Sequence, residues 1–105
     1  YIWVMEHYNK LVRNGIPELL DSKGVLYEKR IASPEEYKQE LIKKLREEAC
    51  EFSEAGSPEE LADVLEVIDA LRQLPEYNNV ADLQKKKNEE RGGFDGRIII
   101  KGTKG

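Results

Sequence analysis

EEACEFSEAGSPEELADVLEVIDAL, residues 47–71, decides the fold. Gly56-Ser57-Pro58 lies at its centre, with apolar residues at helical spacing on both sides. A glycine here supplies the left-handed residue that stops a helix. The SPEE that follows starts another. Serine caps, proline takes the first helical position, and Glu60, three residues after the cap, closes a capping box. The same SPEE occurs at 33–36. The pattern predicts one helix over Pro34–Ala55 and a second over 58–74, ended by Pro75. So tight a turn between them makes an antiparallel helical hairpin.

Outward from the hairpin the signals are shorter. A third helix is expected over Val80–Arg91, with Asn79 as its cap and Gly92-Gly93 as its break. A short helix over 16–21 follows an Asn14-Gly15 turn and has Pro17 at its start. RIIIK (97–101) is a β-branched run and reads as a strand, with LYEKRIA (26–32) as its weaker partner. The expected class is therefore mainly α: an antiparallel hairpin plus a third helix, with a small β element. The second long helix carries a very broad apolar arc of Leu61, Val64, Val67, Ile68, Leu71 and Leu74. One short chain cannot cover that many sides, so assembly into a helical bundle as a homodimer or homotetramer is expected. A single domain over 5–101 is expected, with residues 1–4 read as an extension ahead of it.

Composition narrows the function classes. Charged residues make up 36% of the 105 and the net charge is -4, which suits a wet, soluble surface and disfavours nucleic acid as the main partner. No apolar run approaches membrane-spanning length, so no membrane partner is expected. Cys50 is the only cysteine and His7 the only histidine. Together they build neither a disulfide nor a zinc site, and a reducing cytoplasm is the simplest setting.

The acids of the hairpin need an explanation. At about 100° per residue, Tyr37, Leu41, Leu45, Phe52 and Ala55 share one face of the first long helix. Glu48 projects from within that stripe and Glu51 sits at its edge, beside Lys44. On the second helix Glu60 falls inside the apolar arc and Asp63 at its margin. In an antiparallel hairpin, residues whose numbers share a sum lie level with each other. Glu51 with Glu60, and Glu48 with Asp63, share a sum of 111 across the turn at Gly56. Within each helix the two acids are three apart and share a face. Four carboxylates thus point into one groove at two levels. Leaving them unpaired in an apolar setting costs several kcal/mol per charge. Either basic side chains or hard cations must offset that, and Mg²⁺ suits an all-oxygen set. A di-iron site is excluded because it needs Glu-x-x-His. The blander reading has force too: Glu60 is already the capping partner of Ser57, and Glu59 and Glu60 suit a helix N-terminus.

EExxE at 47–51 followed by Glu60-Leu61-Ala62-Asp63 resembles the metal signature of the all-α nucleotide pyrophosphohydrolases, the MazG-like superfamily. The flanking blocks YNKLVRNGIPELL (8–20), EELADVLEVIDAL (59–71) and ERGGFDGRIII (90–100) resemble its phosphoribosyl-ATP pyrophosphohydrolase-like branch. The likeness covers about residues 8–100. It implies that Glu48, Glu51, Glu60 and Asp63 ligate Mg²⁺, with Mn²⁺ as a substitute, and that Glu47 is a further ligand or a base that orients water. It implies a nucleotide substrate, normally a nucleoside triphosphate, cleaved between the α and β phosphates to monophosphate and pyrophosphate.

A triphosphate also needs fixed positive charge. Lys87 and Arg91 are four apart on the third helix. Arg97 follows the glycine break, whose backbone N–H groups suit a phosphate. Lys10 and Arg13 flank the N-terminal turn, and Lys44 precedes Glu48 by one helical turn. All six are phosphate-binding candidates beside the plainer reading of solvated surface cations. Cys50 has no base nearby and reads as a structural thiol. Trp3, Tyr8 and Tyr77 suit base stacking or simple packing equally. Two other functions stay open: a phosphoribosyl-ATP pyrophosphohydrolase of histidine biosynthesis, and a non-catalytic helical binding module whose acids serve assembly.

Overall fold

The computed structural model describes residues 9–103. Their helices are α1 (Ile16–Ser22), α2 (Pro34–Ala55), α3 (Pro58–Arg72) and α4 (Val80–Arg91), with a 3₁₀ turn at Pro75–Tyr77 between α3 and α4. His7, Trp3, Tyr8 and the 1–4 extension lie outside the described residues. No described helix is long and apolar enough to cross a membrane.

The two SPEE signals act as expected. Ser33 Oγ accepts from the Glu36 amide at 3.2 Å, and Ser57 Oγ accepts from the Glu60 amide at 3.4 Å. Neither box closes reciprocally. The Glu36 carboxylate instead takes a two-point hydrogen bond from Arg30, at 2.6 Å for each oxygen. Gly56 ends α2 at φ 63° and ψ 18°, the left-handed conformation, and its amide returns to the Phe52 carbonyl at 2.7 Å. α2 and α3 then pack antiparallel, and this is the main tertiary contact of the molecule.

Three expectations need correcting. The second long helix stops at Arg72 rather than residue 74. Leu74 precedes Pro75 and takes extended angles, φ -71° and ψ 139°, because a proline ring crowds the residue before it out of the helical region. Asn79 stands at the N-cap position of α4 but makes no side-chain capping bond. No strand occurs among the described residues, so the small β element over 26–32 and 97–101 is absent. Arg97 adopts φ 56° and closes a turn onto Phe94 O at 3.0 Å, so an extended run cannot begin there. Ile98, Ile99 and Ile100 are then more than four-fifths exposed, with no ladder beside them.

Other ties hold the ends to the hairpin. Tyr27 Oη donates to Pro17 O at 3.1 Å and meets Asp21 Oδ1 at 2.8 Å, which fastens the 23–33 connection to α1. Lys38 on α2 pairs with Glu76 at 2.9 Å and lies over the Tyr77 ring, holding the 3₁₀ turn against α2. The core is small. Leu41 and Val67 are the buried apolar residues among those described, and the third buried residue is Glu48. α4 is exposed along its whole length.

Candidate metal centre

Glu48 is supplied by α2, and Glu60 and Asp63 by the first two turns of α3. One carboxylate oxygen from each can be chosen so that all three lie within 4.8 Å of one another. The Gly56 turn sets this arrangement, because it fixes which residue of α3 stands level with Glu48. The Glu60 side chain does not return to the Ser57 amide to close the box, and it joins the cluster instead.

Glu48 is the unusual member. It is 8% exposed, and its Oε2 is buried without any hydrogen-bond partner. Its Oε1 has Lys44 Nζ at 3.6 Å, a charge contact rather than a close hydrogen bond. Burial pushes the Glu48 carboxyl above its usual range. The negative charge of Glu51 adds to this, Lys44 partly offsets it, and Asp63 raises it again. Glu51 is exposed, and although its charge reaches Glu48, it does not belong to the set of three.

Three cations border the cluster. Arg13 Nη2 donates to Asp63 Oδ1 at 2.7 Å. Lys10 Nζ lies 3.6 Å from Glu47 Oε1, and Lys44 Nζ lies 3.9 Å from the same oxygen. Glu47 is therefore flanked by lysines on the rim. Glu47, Glu48, Glu51, Glu60 and Asp63 face Lys10, Arg13 and Lys44, which leaves an excess of two negative charges. Lys87, Arg91 and Arg97 are exposed, and no ion pair among the described residues joins them to the acids.

The contacts of Lys10 and Arg13 are the part of the site that spacing could not reveal. Arg13 and Asp63 are 50 residues apart. Their pairing depends on how the segment before α1 crosses the hairpin, and no periodicity encodes that. A separate open cleft, lined by Asp69, Arg72, Tyr77 and Val80 among others, lies at the far end of α3. At 1.5 Å per residue, Arg72 is about 18 Å along the helix from Glu60. That cleft is not part of the acid cluster.

Compared with known proteins, the chain matches no family model, no curated protein and no solved structure.

Proposed function

We propose that the chain is a divalent-cation-dependent nucleotide pyrophosphohydrolase, cleaving a nucleoside triphosphate between its α and β phosphates. One observation carries this reading: a buried carboxylate, Glu48, with one oxygen left without a partner and two further carboxylates beside it. A chain keeps so costly a group where a ligand can satisfy it. The donor set is all oxygen, and the five acids of the region outnumber the three cations beside them by two, which fits a hard divalent cation such as Mg²⁺. The resemblance of the EExxE and ExxD motifs points the same way.

Glu48, Glu60 and Asp63 would hold the cation, with the Glu51 charge beside Glu48 adding to its attraction. When bound, Mg²⁺ lowers the pKa of water and offsets charge on phosphoryl oxygens. The remaining work belongs to the chain. Glu47, at the rim and about one-third exposed, is placed to orient a water and take its proton. Attack of that water on the α-phosphorus breaks the bond to the bridging oxygen, and pyrophosphate leaves with the electron pair. Lys10, Arg13 and Lys44 surround the acids and are placed to take up phosphate charge. Lys87, Arg91 and Arg97 make no ion pair with the acids within the described residues, and a phosphate-binding role for them would belong to an assembled form.

That assembly is part of the proposal: copies of the chain pack on the apolar faces of α2 and α3, as a homodimer or homotetramer. A reducing, cytoplasmic setting suits a chain whose one cysteine is free and exposed.

The test is product analysis on purified protein with a panel of ribo- and deoxyribonucleoside triphosphates. Pyrophosphate plus monophosphate, present with Mg²⁺ and absent with chelator, is the expected result. Orthophosphate as the product would place cleavage at another bond. No turnover on any triphosphate or on phosphoribosyl-ATP would sink the enzymatic reading and leave a binding module.

A further inference from the structure

We propose that Arg13 is a displaceable counter-ion: a divalent cation entering the Glu48–Glu60–Asp63 cluster releases its guanidinium from Asp63, and the freed guanidinium then holds a phosphate of the incoming ligand. The inference rests on the cluster being a metal site.

Three observations lead to it. First, Arg13 does not sit beside the cluster at random. Its Nη2 is 2.7 Å from Asp63 Oδ1, against 3.6 Å for Lys44 Nζ from Glu48 Oε1. The cluster already contains an oxygen that wants a cation, the buried and unpartnered Oε2 of Glu48. Arg13 satisfies the outer acid and leaves that inner oxygen unpartnered. Second, the contact is reversible by construction. The Arg13 and Asp63 side chains are 56% and 43% exposed, so neither loses much hydration in pairing and either can separate into water. Third, the segment bearing Arg13 is held across the hairpin by side chains rather than by regular structure. Lys10 meets Glu47 at 3.6 Å, Leu11 and Val12 are half-buried, and α1 begins only at Ile16.

A divalent cation among the three carboxylates puts two positive charges next to a guanidinium. Repulsion and competition for Asp63 then act together against the Arg13 contact. Its planar fork matches phosphate oxygens as well as it matches a carboxylate. The segment therefore stays over the site while its charge changes partner, from protein acid to ligand anion. Without metal, Arg13 shields the acids. With metal and phosphate, it closes over them.

The model makes a prediction with two opposite signs, which a purely structural Arg13 does not. In the full chain, Arg13→Gln binds Mn²⁺ alone about twofold to fivefold more tightly than wild type, as expected for removing an exposed competing pair. The same variant binds the preformed Mn²⁺–pyrophosphate complex about tenfold more weakly, as expected for a lost charged hydrogen bond. Arg13→Lys, which keeps charge but loses the fork, falls between on both readings. Mn²⁺ affinity is read by electron paramagnetic resonance of the free ion, and complex binding by calorimetry. Circular dichroism melts establish that each variant is folded, and should Arg13→Gln fail to fold, the Lys variant carries the test. Equal or weaker Mn²⁺ binding by the variants, or unchanged binding of the complex, overturns the proposal while leaving the metal site standing. Failure of wild type to bind Mn²⁺ at all overturns both.

Discussion

At position 48 the hairpin buries an acid where its neighbours bury Leu41 and Val67. A buried polar atom without a partner costs about 1–3 kcal/mol, and more when charged. In a domain whose whole stability is a small difference between large terms, that is a substantial fraction. Glu48→Gln removes the charge at nearly constant shape. In chelator at neutral pH the variant should be more stable than wild type, by about 1 kcal/mol. The rise in melting temperature that Mg²⁺ gives wild type should vanish in it, along with turnover. The gain should also depend on pH in a defined direction. The folded Glu48 carboxyl lies above its ordinary value of 4.5. A group raised in this way favours the folded state while protonated, and that advantage is lost as pH rises from about 4.5 through the folded value. Wild type should therefore approach the variant as pH falls towards 4.5. Thermal melts across that range, with and without Mg²⁺, check all three points. A less stable Glu48→Gln protein in chelator would mean that Glu48 has a partner after all.

Among the elements, the hairpin was legible because its punctuation is local. Ser33, Gly56, Ser57 and the two prolines each act on their own turn, and α2 has the bounds read from them. The levels of Glu48 and Asp63 follow from counting across Gly56, and the cluster contains both. The other features were hidden for physical reasons. Pro75 constrains Leu74 before it, so α3 ends two residues sooner than its apolar spacing suggests. Ile98 to Ile100 have strand propensity, but a strand needs a ladder partner, and Arg97 at φ 56° turns the chain away first. Arg13 and Lys10 stood out as cations, yet their carboxylate partners came only with the three-dimensional path. The turn itself can be tested. A Cβ on Gly56 would meet nothing within 4 Å, so Gly56→Ala carries a backbone cost alone. Non-glycine residues in the left-handed region cost about 1–2 kcal/mol. Gly56→Ala should lower stability by about that amount, and Gly56→Asn by less, with Mg²⁺ affinity nearly unchanged in the folded protein. Urea melts read the first effect and metal titration the second. Unchanged stability in the alanine variant would mean that α2 does not end in this conformation in solution.

The whole molecule exposes more than a compact chain of its size. Its radius of gyration is 18.4 Å, where about 13 Å is usual for 100 residues. Its accessible area is 9765 Å², against about 6000 Å² for a folded monomer of 12.1 kDa. The excess, roughly 3700 Å², is several times the 800 Å² or so that each partner contributes to a standard interface. Part of it is apolar. Leu61 and Leu65, one turn apart on α3, are 43% and 53% exposed, and Ile42 on α2 is 46% exposed. Of these, Leu61 belongs to the broad apolar arc read on α3. The proposed assembly would cover this surface with a second copy, since the same apolar face on both partners is what a two-fold helical bundle requires. Light scattering after gel filtration should give a mass of two or four chains at micromolar concentration. Leu65→Glu separates the cases. On a free surface it changes stability by less than about 0.5 kcal/mol. On a buried face between copies it forces a charge into an apolar contact, so the assembly should dissociate and the melting temperature fall with it. A monomeric wild type, or a Leu65→Glu protein with unchanged mass and melting temperature, would show that this face is not where the copies meet.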